Sequence, residues 1–175
     1  MLQRNNLLEQ VIRVNHAGEY GAVCIYTGQE LVFRKLPIIE KIVEMKKQEQ
    51  NHFNYFDSVM KDKGVRPTVF LPLWHVMGVM LGITTALMGE NAAMACTVAV
   101  EEVISDHYQD QITALNDSDL DNGELKDKIM QFRNEELEHH DIAMCHNSSN
   151  AMNHSVLSFF IKKACKVAIK ISKII

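Results

Sequence analysis

Two short segments, Glu49-x-x-His52 and Glu136-x-x-His139, carry residue types with which proteins hold metal ions. On a helix, residues three apart share one face, so each pair can aim a carboxylate and an imidazole at the same ion. An isolated pair of this kind is usually a solvated helix surface. The apolar residues around these two argue otherwise. Ile42, Met45, Glu49, His52, Phe56 and Val59 follow one seam spaced by three and four, and Leu125, Ile129, Phe132, Glu136, His139 and Ala143 follow another. Both pairs therefore lie on stripes that must face a core.

Two further segments supply single carboxylates. The seam Met94, Val98, Glu101, Ser105, Tyr108, Ile112, Leu115 selects Glu101 and leaves Glu102 with Asp106, Gln109 and Thr113 on a polar side. The seam Leu8, Ile12, His16, Glu19, Val23, Tyr26 selects Glu19, with Glu30 as a competitor. Depth along a hairpin separates the two. With a turn near residue 36, Glu49 and His52 lie 13 and 16 residues beyond it, Glu19 lies 17 before it and Glu30 only 6. At about 1.5 Å per residue, Glu30 would sit roughly 10 to 15 Å from the level of the pair. With a second turn near residue 120, Glu101 lies 19 residues before it, and Glu136 and His139 lie 16 and 19 after it. Two antiparallel hairpins thus each deliver one Glu and one E-x-x-H, an internal pseudo-repeat over about 5–62 and 90–147.

Four carboxylates in an apolar core are costly unless cations pair with them. None of the four seams carries a lysine or arginine. Two divalent ions would balance Glu19, Glu49, Glu101 and Glu136, with His52 and His139 completing the ligands. One Glu from each of two helices and Glu-x-x-His from each of two others is the ligand set of di-iron and di-manganese carboxylate bundles. Oxygen and imidazole donors without thiolate suit iron or manganese better than structural zinc. Tyr108, two turns from Glu101 on the same face, is a candidate catalytic side chain beside the metals. His16 and His146 share seams with the ligands and are candidates to support them, while His107 and His140 have no assigned role.

The elements that must position these groups are helices. Among 175 residues, 8 glycines, 3 prolines and 47% hydrophobic residues suit a single all-α domain over 1–175. Periodicity predicts helices at about 5–34, 37–62, 72–87, 90–116, 122–147 and 153–174. Pro37 reads as a first-turn proline, and Lys63-Gly64 with Arg66-Pro67 as the end of the second helix. The polar run from Asn116 to Gly123 is a connection. Its Asp117, Asp119 and Asp121 imitate a calcium loop, but Asn122 and Lys128 stand where that loop needs Gly and Glu.

Composition limits partners. A net charge of −4 leaves no basic footprint for nucleic acid. Cys24, Cys96, Cys145 and Cys165 show no metal-binding spacing and read as reduced thiols. Residues 1–6 have neither a signal nor a transit character, which fits a bacterial-type cytoplasm or a presequence already removed. The run 69–89 has no Asp, Glu, Lys or Arg. Its length could cross a bilayer, yet a crossing would separate Glu49 and His52 from Glu101, Glu136 and His139, so a helix lying in the interface is expected. The segment 153–174 sets Phe160, Ala164, Val167, Ile171 and Ile174 against Lys162, Lys163, Lys166, Lys170 and Lys173, the pattern of an amphipathic helix drawn to anionic lipid. The expectation is a peripheral membrane protein, on the cytoplasmic face of a bacterial membrane or the equivalent organelle inner-membrane face.

The run Arg13-Val14-Asn15-His16-Ala17-Gly18-Glu19-Tyr20-Gly21-Ala22, the Glu49/His52 pair, Val100-Glu101-Glu102 through His107-Tyr108, and Glu135-Glu136-Leu137-Glu138-His139-His140-Asp141 resemble the demethoxyubiquinone hydroxylases of ubiquinone biosynthesis. The likeness covers nearly the whole chain, with Asn15 standing where that family often has Asp. It implies a ferritin-like four-helix bundle with two added helices, two iron ions at the six positions above, and O2 as co-substrate. The implied reaction is hydroxylation of a polyprenylated demethoxybenzoquinol ring. A quinone-synthesis partner protein and a second copy of the chain stay open as partners, as does the electron donor. An iron-storage protein and a non-catalytic scaffold are the competing readings.

Overall fold

The computed structural model describes residues 2–117, 123–146 and 155–174, and among these the regular structure is entirely helical. In chain order the helices are α1 (Leu2–Phe33), α2 (Ile39–Lys63), α3 (Leu71–Leu87), α4 (Glu90–Asn116), α5 (Gly123–His146) and α6 (Ser155–Ser172). The architecture is an all-α, ferritin-like bundle: α1, α2, α4 and α5 form two hairpins, and α3 and α6 are additions to it.

Local signals account for most boundaries. Gly64 ends α2 with φ 65, a left-handed turn that glycine adopts without penalty, and Val65 N–H then bonds back to the Met60 carbonyl at 2.9 Å. Pro37 does not open α2. The Ile39 N–H bonds the Leu36 carbonyl at 3.0 Å, which keeps Pro37 in the connecting turn and makes Ile38 the N-cap. Pro72 takes the first-turn place in α3 instead. Of the polar connection expected between α4 and α5, residues 118–122 lie outside the described residues.

Burial follows the seams. The buried residues of α5 are Leu125, Ile129, Phe132, Glu136, His139 and Ala143. In α2 the last buried place belongs to Met60 rather than Val59, because a step of four from Phe56 stays closer to the stripe than a step of three. Two apolar clusters form along the bundle. One gathers Ile12, Phe56, Met60, Ile112, Leu115, Ile129 and Phe132, the other Phe33, Ile38, Ile42, Met45, Met94 and Ala143. Glu19, Glu49, His52, Glu101, Glu136 and His139 occupy the level between them.

Helix α3 lies against α1 at backbone contact. A Cβ on Gly82 would stand 2.0 Å from the Ile25 carbonyl oxygen, and one on Gly28 would stand 2.3 Å from that of Val79. Helix α6 packs on α4, and Trp74 Nε1 of α3 donates to Ser172 Oγ of α6 at 3.2 Å. The outer faces of both added helices stay apolar, with Met80 61% and Phe159 61% exposed. Among the described residues, no helix is long and apolar enough to cross a membrane.

Candidate metal centre

All six side chains selected from the seams meet at one level, each no more than 1% exposed. Their donor atoms fall into two overlapping sets: Glu19, Glu49, His52 and Glu136, and Glu49, Glu101, Glu136 and His139. Within each set the atoms lie within 4.8 Å of one another, close enough to hold a metal ion. Glu49 and Glu136 belong to both. Glu30, the competitor of Glu19, lies elsewhere and pairs with Lys46 at 2.7 Å. Glu102 likewise faces outward, where Lys162 reaches it at 2.5 Å.

The centre is short of positive charge. Among the described residues no lysine or arginine pairs with any of the six, and the two imidazoles stand in as cations. His52 Nδ1 lies 3.0 Å from Glu136 Oε1 and 3.4 Å from Glu19 Oε2. His139 Nδ1 lies 3.0 Å from Glu49 Oε1 and 3.3 Å from Glu136 Oε2, close enough for charge pairing but not aligned for hydrogen bonding. Burial works against the charge on His52, but its contacts with Glu136 and Glu19 outweigh it and push the imidazole up to about 12. His139 goes the same way, to about 11, through Glu136 and Glu49. Burial, and after it the charge on Glu136, drive Glu49 and Glu101 well above the usual carboxylate range. Glu136 alone is pulled down, to about 2, because the two imidazoles overcome its burial.

Glu19 Oε2, both oxygens of Glu49, Glu101 Oε2, Glu136 Oε2 and His139 Nδ1 are buried without a hydrogen-bond partner. Orphaned buried acceptors are costly, and here they converge on two adjacent points. Divalent cations would satisfy them together, and the donors are those that iron or manganese accepts.

The remaining partners form a crossed pattern. Tyr108 of α4 donates to Glu19 Oε1 of α1, and Tyr26 of α1 donates to Glu101 Oε1 of α4 at 2.7 Å. Burial, with the adjacent carboxylates after it, raises both phenols well above 10, so they remain donors. Each outer glutamate therefore has one oxygen tied to a tyrosine and the other free. Glu135 of α5 holds His52 Nε2 at 2.5 Å, and Gln48 of α2 holds His139 Nε2 at 2.6 Å. Tyr26, Gln48 and Glu135 were not singled out above. Two sequence signals could have found them: Glu-x6-Tyr occurs in both halves, and a Gln or Glu precedes each shared glutamate.

The family model described as Ubiquinone biosynthesis protein COQ7 matches residues 6–172. The chain belongs to the COQ7 family. It is 47% identical over 167 residues to the Homo sapiens protein named NADPH-dependent 3-demethoxyubiquinone 3-hydroxylase, mitochondrial, covering 95% of this chain and 77% of that one. The 3-demethoxyubiquinol 3-hydroxylase of Rhodospirillum rubrum is 46% identical over 168 residues, covering 95% and 78%. The 5-demethoxyubiquinone hydroxylase, mitochondrial, of Saccharomyces cerevisiae is 39% identical over 176 residues, covering 93% and 76%.

Four further histidines of this COQ7-family chain, His16, His107, His140 and His146, lie outside the two donor sets. His16 packs against Phe53, the rings tilted with centroids 4.8 Å apart, and faces Asp57 at 3.6 Å. His146 is at the surface, 3.6 Å from Glu90, and His140 is beside Asp141. Asn15 pairs its amide with that of Gln111 at 2.8 and 2.9 Å, and Gln111 Nε2 also reaches His107 Nε2 at 2.9 Å. Position 15 thus supplies a neutral staple between α1 and α4.

Proposed function

We propose that this chain is a di-iron monooxygenase that hydroxylates the ring of a polyprenylated demethoxybenzoquinol in ubiquinone biosynthesis. O2 supplies the inserted oxygen, and a nicotinamide donor, as in the name of the human relative, supplies two electrons. The second oxygen atom leaves as water, which takes up two protons. The observation that carries the reading is the pair of donor sets sharing Glu49 and Glu136, inside a chain whose relatives are named hydroxylases of this substrate.

Bound iron would supply the redox change and the open positions at which O2 reacts. The protein does the rest. Glu49 and Glu136 reach both positions; Glu19 with His52 completes one, and Glu101 with His139 the other. Tyr108 and Tyr26 fix Glu19 and Glu101 through one oxygen each, leaving the second for the metal. The apolar clusters on either side keep bulk water from the centre.

A cavity of about 390 Å³ opens between α1, α3, α4 and α6 and supports a greasy substrate. Its lining includes Gly18 and Val100, the residues preceding Glu19 and Glu101, and continues outward through Trp74, Leu81, Leu157 and Phe160. The exposed apolar faces of α3 and α6 and the lysines of α6 support docking on anionic lipid, from which such a quinol would enter. We place the chain as a peripheral protein at that surface, mitochondrial or bacterial according to its source. Incubating the iron-loaded, reduced chain with 18O2 and a demethoxyquinol should yield a product carrying one 18O atom. Unlabelled or unchanged quinol from a chain that holds its iron would refute the reading.

A further inference from the structure

We propose that the two metal positions are inequivalent, the one built by Glu19 and His52 binding its ion more tightly because a carboxylate, Glu135, backs its histidine where the neutral Gln48 backs the other. The inference rests on the di-metal reading above and concerns what that reading leaves open, the order in which the positions fill.

Both imidazoles turn Nδ1 inward. His52 Nδ1 faces Glu136 and Glu19, and His139 Nδ1 faces Glu49 and Glu136. A nitrogen that binds a metal carries no proton, so the proton of each ring sits on Nε2 and is donated outward. His52 gives it to Glu135 Oε2 across 2.5 Å, and His139 gives it to Gln48 Oε1 across 2.6 Å. The lengths are alike, and the acceptors differ by a full charge. A carboxylate withdraws the Nε2 proton further than an amide does, leaving more electron density on Nδ1. Glu135 is also fixed in place, since Gln131 Nε2 donates to its Oε1 at 2.8 Å.

The rest of the surroundings does not cancel the difference. Each position has one outer glutamate tied through one oxygen to a tyrosine, and each shares Glu49 and Glu136. The ring neighbours differ too, with Phe132 stacked on His52 and Tyr26 edge-on to His139, but both are uncharged. The backing residue is where the two halves differ in charge. Gln48 and Glu135 each immediately precede a shared glutamate, so each half backs the histidine of the other from the corresponding place and fills that place with different chemistry.

Titrating the metal-free chain with Co2+, followed by visible absorption and calorimetry, tests this. The chain should bind two Co2+ in steps separated by about tenfold or more in affinity. Glu135→Gln should weaken the tighter step by about 10- to 100-fold and leave the weaker one in place, so that the steps merge. Gln48→Glu, a change at a half-buried position that keeps the side chain's shape, should tighten the weaker step, and the double exchange should reverse the order. Two Co2+ bound in one indistinguishable step, or both steps unchanged in folded Glu135→Gln and Gln48→Glu, would overturn the inequivalence while leaving the di-metal reading intact. Uptake of fewer than two Co2+ by the folded chain would overturn both.

Discussion

Tyr26 and Tyr108 sit in corresponding places on α1 and α4, each seven residues after a glutamate and each bonded to the glutamate of the other helix. Losing such a bond frees a carboxylate to rotate and costs roughly 10-fold or more in metal affinity. Tyr26→Phe should therefore weaken the position served by Glu101 and His139, and Tyr108→Phe the one served by Glu19 and His52. Metal titration of the two variants checks this, and loss at the same step in both would contradict it. Protonation offers a second residue-scale test. His52 and His139 are held above the ordinary imidazole value of 6.5, so their stabilisation of the metal-free fold is complete below 6.5 and is lost as pH rises toward about 11 to 12. Glu49 and Glu101, also raised, act in the same direction from 4.5 upward. Glu136, lowered to about 2, acts oppositely, but only below 4.5. The Tm of the metal-free chain should thus fall between about pH 7 and about pH 10, and the curve with bound metal should be flatter, because the cation takes over from the protons.

Helix by helix, the packing is set by how closely backbones approach. Gly82 sits where an added methyl would meet the Ile25 carbonyl at 2.0 Å, and neither helix backbone can yield cheaply. Gly82→Ala should push α3 off α1 and destabilise the chain by about 1 to 3 kcal/mol, read as a lower Tm with helix content retained. The seams of α2 and α5 and the depth count that chose Glu19 over Glu30 were legible in the sequence because both rest on one helix's own geometry. Gln48, Glu135 and Tyr26 were marked only by repetition between the two halves, which names no partner for them. Their partners lie on another helix, and which side chain bridges that distance depends on helix spacing that no single seam records. Pro37 misled for a related reason: a proline announces a helix start only to within a turn, and the bond from Ile39 N–H to the Leu36 carbonyl settled on the later start. The glycines of α1 and α3 carried no signal until the two helices were seen in contact.

Across the whole molecule, chemistry and surface are segregated. The buried charges lie inside the four-helix bundle, whereas the exposed apolar side chains Val76, Met80, Phe159 and Val167 belong to the two added helices. The apolar cavity lies between those helices and the bundle. Such a layout suits a protein that takes an oily substrate from a membrane surface into a water-poor centre. The chain should co-sediment with vesicles containing anionic lipid, less so at high salt. Met80→Glu combined with Phe159→Glu should reduce that binding without altering the metal centre; unchanged co-sedimentation would argue that these faces serve another contact. All of this depends on a pair of cations shared by Glu49 and Glu136. The most direct measurement is iron per folded chain after anaerobic loading and removal of loose metal. About two irons are expected for the chain as it stands, and fewer for Glu136→Ala, which removes a ligand from both positions at once. A folded chain that retains no iron, or a Glu136→Ala variant that retains as much as the parent, would contradict the account.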